Sequence, residues 1–185
     1  MYSGPITSSV LNRGRPPESF LDALINWGKK APSELFEAND NDADIYAYIH
    51  PILGPWANLL HRRAAMLEVM RVHAGFESSW NWNEGVDRTN KTSMLHIEGQ
   101  ETGIFQVSFD STYLNHGAMK EFAVLHGIGT AGSFIDRMKN EHDLALEYYA
   151  RLVRFNVQWA GPIKRHEIDG WLRLGAVTQF RDLLT

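Results

Sequence analysis

The chain has 185 residues, of which 44% are hydrophobic and 22% charged, with a formal net charge of -4 and a mean hydropathy of -0.30. That is the balance of an ordinary globular domain with enough apolar residues for a sizeable core, and mild acidity argues against a polyanionic partner such as nucleic acid. No cysteine is present, which excludes disulfides, thiolate-ligated zinc and a thiol nucleophile.

Residues 1–17 carry Gly4, Gly14 and three prolines without a hydrophobic period, and are expected to form a flexible arm before a single domain over 18–185. This start lacks the apolar core of a secretory signal, and no run approaches the ~20 apolar residues of a membrane span. Pro17-Glu18-Ser19 opens a helix predicted over 18–30, with Phe20, Leu21, Leu24 and Trp27 on one face. The run Asn39-Asp-Asn-Asp-Ala-Asp44 has the alternating acids of a calcium loop but not its Gly and distal Glu, so Asp is assigned a helix-capping role. The helix it caps is predicted over 45–49 and closed by Pro51.

From Pro55 the period is strongly helical. Trp56, Leu60, Ala64, Leu67, Met70 and Ala74 form one buried stripe, with His61, Arg62, Arg63 and Arg71 mostly on other faces. The stripe runs into His73-Ala-Gly-Phe-Glu-Ser-Ser-Trp80. Glu77 follows Met70 by seven residues and stays near the core-facing side if the helix continues; a break at Gly75 is the alternative. Residues 78–102, with Trp80, Trp82, several Asn and Gly and several acids, are expected to form a loop or small β lobe. A second island follows, Glu101-Thr-Gly-Ile-Phe-Gln-Val-Ser108.

Helices are predicted over 119–126, 134–139 and 143–157. The last is apolar nearly all round, as a central enclosed helix would be, and Ala160-Gly-Pro162 stops it. Gly127-Ile-Gly-Thr-Ala-Gly132 is a turn without the Lys-Ser/Thr of a phosphate loop. Short helices over 167–174 and 177–184 complete a mainly α fold. The eight histidines form no ligand pair and are assigned structural or surface roles, and no metal or cofactor is expected.

Glu77 is the candidate general acid: an apolar setting built from Phe76 and Trp80 favours the protonated form, which can donate to a leaving oxygen. Trp and Tyr rings offer faces for sugars, and Asn and Gln amides can bond hydroxyl and acetamido groups. Glu84, Asp87, Glu98 and Glu101 are candidates for a second carboxylate, with Glu101 adjacent to the second island. Asn90-Lys-Thr92 matches a glycosylation acceptor, a pattern frequent by chance.

The pair Glu77-Ser78 at a helix end, followed by Gly103-Ile-Phe-Gln106, resembles the lysozyme-like superfamily, in the pattern of goose-type lysozymes and lytic transglycosylases. Within it the chain looks like a type VI secretion peptidoglycan glycoside hydrolase effector. The resemblance covers about residues 56–165. It implies a lysozyme-like helical domain that cleaves the β-1,4 glycan of peptidoglycan, as a muramidase or N-acetylglucosaminidase, with lytic transglycosylase or silent glycan-binding module as alternatives. It implies Glu77 as acid, Asp87 by order as the auxiliary acid, and Ser78, Phe105 and Gln106 around the substrate; Trp80, read from its residue type, either stacks on a sugar there or packs in the core. Tyr148 or Tyr149 stands for the family's tyrosine near the acid. The segment Phe155-Asn-Val-Gln-Trp-Ala-Gly161 loosely matches the family's closing region. It further implies a toxin exported without a signal peptide into the periplasm of a target cell, and a cognate immunity protein that blocks the cleft.

Overall fold

A computed structural model describes residues 1–38, 44–86, 96–114 and 117–185. All of the acidic run before Asp44, together with Asp87 and the Asn90-Lys-Thr92 site, lies outside the described residues.

The fold is mainly α. In chain order the helices are α1 (Glu18–Lys30), α2 (Ile45–Leu53), α3 (Leu59–Ser78), α4 (Ala118–Leu125), α5 (Ala131–Asn140), α6 (His142–Asn156), α7 (Gly161–Lys164) and α8 (Leu174–Leu184). Among the described residues there is no strand; the one β-type pairing is the Thr102–Val107 bridge. Of the loop-or-lobe alternative for 78–102, the described part is loop with one 3₁₀ turn at Ile97–Gly99.

Helix α1 forms where predicted, buries Phe20, Leu21, Leu24, Ile25 and Trp27, and ends on Lys29 and Lys30, which suit the negative end of its dipole. Asp44 caps α2, accepting from the Tyr46 N–H. This helix outruns its predicted end, because Pro51 in the last turn removes one donor only and the Gly54 N–H still closes on the His50 carbonyl. Gly161 and Pro162, expected as a stop, instead open α7, where proline's missing N–H costs nothing. The helix predicted over 167–174 is replaced by turns and a 3₁₀ turn at Asp169–Trp171.

The most enclosed helix is α3. Every residue from 64 to 75 is buried, so the expected single stripe is in fact a full circumference. It packs most extensively against α8 and also against α1, while α6 packs against α1, α2, α4 and α5. A paired glutamate and arginine lie inside this core. The Arg71 guanidinium makes paired bonds to Glu68 at 2.7 and 2.8 Å, and Glu68 also accepts from the Arg173 N–H at 2.9 Å. Burial pushes the Glu68 carboxyl up, while these three N–H donors favour its ionised form. A second buried cluster joins Asp44 to Arg154 and, at 3.8 Å, to Arg62, whose guanidinium lies 3.7 Å from the centre of the Tyr46 ring.

The amino-terminal segment is a packed strap, where a flexible arm was expected. Ile6 and Val10 are fully buried, Gln179 binds the Ser3 carbonyl and the Ile6 N–H, and Arg71 donates to the Ser8 carbonyl. No helix among the described residues is long and apolar enough to cross a membrane.

Candidate active site

The site begins with how α3 ends. The helix runs through Gly75 to Ser78, and Ser79 and Trp80 then adopt left-handed backbone, with φ of 56° and 59°. This turns the Trp80 indole back onto the helix, where its Nε1–H donates to the Arg71 carbonyl at 2.8 Å. The ring lies directly over Gly75: a Cβ there would stand 2.4 Å from the indole. Gly75 therefore does not break the helix; it admits the ring that locks the helix end. Trp80 is 3% exposed, so it is a core residue and not a sugar platform.

One residue past Glu77, the buried Ser78 hydroxyl contacts the Ala74 carbonyl at 3.1 Å and the Ile104 carbonyl at 2.8 Å. The second contact pins the second island against the end of α3. Here Thr102 and Val107 exchange both backbone hydrogen bonds around a tight turn, with Gly103 at φ 68° and Gln106 at φ 48°. At Gly103 a side chain would face both the left-handed backbone and the Met138 carbonyl, 3.1 Å from its Cβ. Ser78 thus positions the turn, and its hydroxyl is spent within the protein.

Two adjoining cavities, of about 770 and 390 Å³, meet at this junction, and Glu77, Glu101 and Gln106 line both. The larger also takes Phe76, Phe105, Tyr149, Trp159 and Arg165, with Glu98 and Asp110 among its acids; the smaller takes Arg13, Ser78 and Glu84. Glu77, with its side chain 24% exposed, is a carboxyl half-sheltered at the shared boundary of the two.

Behind Glu77 stands His73, one turn earlier on the same helix and almost fully buried. Its Nε2 lies 3.2 Å from Glu77 Oε1, close to it but not aligned as a hydrogen bond. Its Nδ1 bonds the Tyr149 hydroxyl. The Tyr149 ring stacks on Phe105, with centroids 3.9 Å apart and planes at 8°. Burial pushes the Tyr149 phenol well above its ordinary value, and the charge of Glu77 adds to this. Across the larger cavity, Arg165 is raised first by its paired bonds to Glu167 and last by the charge of Glu77.

No family model, curated protein or solved structure matches the chain.

Of the residues singled out in the sequence, Glu77, Glu101, Phe105, Gln106 and Tyr149 converge on one cleft. Tyr148 does not: it is fully buried, its hydroxyl contacts Ser111 and its ring meets Phe134 edge-on. Asp87 is outside the described residues. His73, Trp159 and Arg165 line the cleft without having been named as site residues in the sequence. His73, assigned a structural or surface role with the other histidines, faces the acid. Trp159, 46% exposed on the cleft, offers the ring that Trp80 was expected to offer. Arg165 brings a positive charge to the larger cavity, among Glu77, Glu98, Glu101 and Asp110. Two of them left a signal: His73 through its four-residue spacing before Glu77, which places both on one helical face, and Trp159 through its place in the Phe155–Gly161 segment.

Proposed function

We propose that the chain is a glycoside hydrolase acting on the β-1,4 glycan backbone of peptidoglycan, as a muramidase or N-acetylglucosaminidase, with Glu77 as general acid. The observation that carries this is the position of Glu77: a half-sheltered carboxyl where two cavities join, so that a polymer crossing the boundary lays a linkage against it. The resemblance of Glu77-Ser78 and Gly103-Ile-Phe-Gln106 to the lysozyme-like superfamily points the same way. The Ser78 bond to Ile104 gives these two short motifs a physical connection.

In this reading the Glu77 carboxyl donates its proton to the leaving glycosidic oxygen, a contribution of roughly 10²–10⁴ in rate. Glu101 shares both cavities with it and is the assigned second carboxylate, activating water or supporting the oxocarbenium-like transition state. Trp159 and Phe76 supply apolar faces for sugar rings, and Gln106 and Gln158 supply amides for hydroxyl and acetamido groups. The same reading makes the chain an antibacterial toxin effector that works in the periplasm of a target cell and is restrained by an immunity protein seated in the cleft.

Digestion of purified sacculi by wild type, Glu77→Gln and Glu101→Gln, with mass spectrometry of the released fragments, tests the proposal. Wild type is expected to release fragments with reducing ends, and Glu77→Gln none at the same enzyme concentration. Anhydro ends in place of reducing ends convert the hydrolase into a lytic transglycosylase. Sacculus binding without release by any form leaves a glycan-binding module and removes the catalytic assignment.

A further inference from the structure

One arrangement of protons behind Glu77 satisfies the buried Tyr149 hydroxyl. Tyr149 is 1% exposed, and among the described residues its hydroxyl has a single partner, His73 Nδ1. A buried O–H left without an acceptor gives up its hydrogen bond to water and gains none in return. Nδ1 satisfies that donor only if it is unprotonated, because a protonated ring nitrogen cannot accept. A phenol shifted far upward by burial is a neutral donor, which agrees. The imidazole proton is then on Nε2, and Nε2 faces Glu77 Oε1 at 3.2 Å with no aligned partner among the described residues. Catalytic hydrogen bonds of this kind often reach full alignment only when substrate is bound.

We infer that His73 is a positioning residue for Glu77, held by Tyr149 in the tautomer that presents Nε2–H to Oε1. A donor resting on Oε1 makes that oxygen an acceptor, so the proton of the acid resides on Oε2. His73 thereby fixes which carboxyl oxygen delivers the proton and the plane in which the carboxyl stands. Phe105 belongs to the same device: it stacks on Tyr149 and couples the Gly103–Gln106 turn to the acid through two rings, Tyr149 and His73. This inference rests on Glu77 being the general acid, but the tautomer is measurable without any activity.

The test combines two-bond ¹H–¹⁵N correlation spectra of histidine-labelled protein in neutral buffer with kinetics on solubilised glycan fragments. The His73 signal, recognised by its loss in His73→Gln, should show Nε2 protonated and Nδ1 bare. Tyr149→Phe keeps the ring stack and removes only the donor. It is expected to disturb that tautomer and to lower kcat by about ten- to a hundredfold, the scale of a misplaced catalytic group, with KM little changed. A proton on Nδ1, or on both nitrogens, in the wild type overturns the inference. So does an unchanged kcat in Tyr149→Phe, or a loss confined to KM, which would make Tyr149 a substrate contact. A wild type that releases nothing from sacculi sinks the glycosidase reading instead, and the nitrogen spectrum still decides the tautomer.

Discussion

Gly75→Ala sets two effects of opposite sign against each other. Within a helix, alanine in place of glycine is worth about 1 kcal/mol of stabilisation. Here the new methyl would stand 2.4, 2.8 and 3.0 Å from three atoms of the Trp80 indole. Overpacking of a tight core costs about 1–3 kcal/mol. If the ring retreats instead, it gives up the 2.8 Å bond from Nε1 to the Arg71 carbonyl, worth about 1 kcal/mol. The ring has little freedom to retreat, because Ser79 and Trp80 already occupy left-handed backbone. The clash therefore wins, and net destabilisation of about 1–3 kcal/mol is expected. In urea denaturation the midpoint should fall by about 0.3–1.5 M at an unchanged slope of roughly 2–3 kcal/mol/M. In a Trp80→Ala background the same change should turn stabilising, by up to about 1 kcal/mol. A single Gly75→Ala variant as stable as wild type, or more so, would refute the account of how α3 ends.

Other perturbations are expected to read out different parts of the molecule. Asp44→Ala removes both the α2 cap and the counter-charge of Arg154 and Arg62, and should lower stability in thermal or urea melts by about 3–5 kcal/mol for the stranded charges plus about 1 for the cap. Gln106→Gly relieves left-handed backbone worth about 1–2 kcal/mol but loses the 2.9 Å side-chain bond to the Gly103 carbonyl. Its melting temperature should stay near wild type, while under the proposed glycosidase activity KM for glycan rises because a cleft amide is gone. Burial lowers the His142 imidazole from 6.5, with Trp82 covering one face of an otherwise exposed ring at 3.9 Å. A histidine lowered on folding takes its proton first in the unfolded chain, so its contribution to stability is intact at neutral pH and fades as pH drops below about 6.5. Urea midpoints at about pH 7 and 5.5 should differ less in His142→Phe than in wild type.

What the sequence revealed and what it hid divide along a physical line. Helices α1, α5 and α6 and the Asp44 cap are written in short-range patterns: apolar residues at steps of three or four, a side-chain oxygen before the first turn, and proline at an edge. The burial of Glu68 and Arg71 on α3 is not local, since it depends on a backbone N–H from Arg173, about a hundred residues on. The strap of residues 1–17 is held by two apolar anchors, Ile6 and Val10, too few to make a period against a background of Gly, Ser and Pro.

Aromatic residues show the hardest ambiguity, because the surface that suits a sugar ring suits a core equally well. Trp80 and Tyr148 went inside because their polar tips found partners, the Arg71 carbonyl and Ser111, and long-range geometry decided that. Gly75 concentrates the problem in one position. Read as a possible helix break, it separates His73 from Glu77 and makes Trp80 a loop residue free to face solvent. Once it is understood as the seat of the Trp80 ring, the helix is continuous, His73 and Glu77 share a face one turn apart, and the tryptophan leaves the cleft. The assignment of both the acid's neighbour and the sugar platform thus turns on whether a glycine near a helix end is a terminator or a place for another ring.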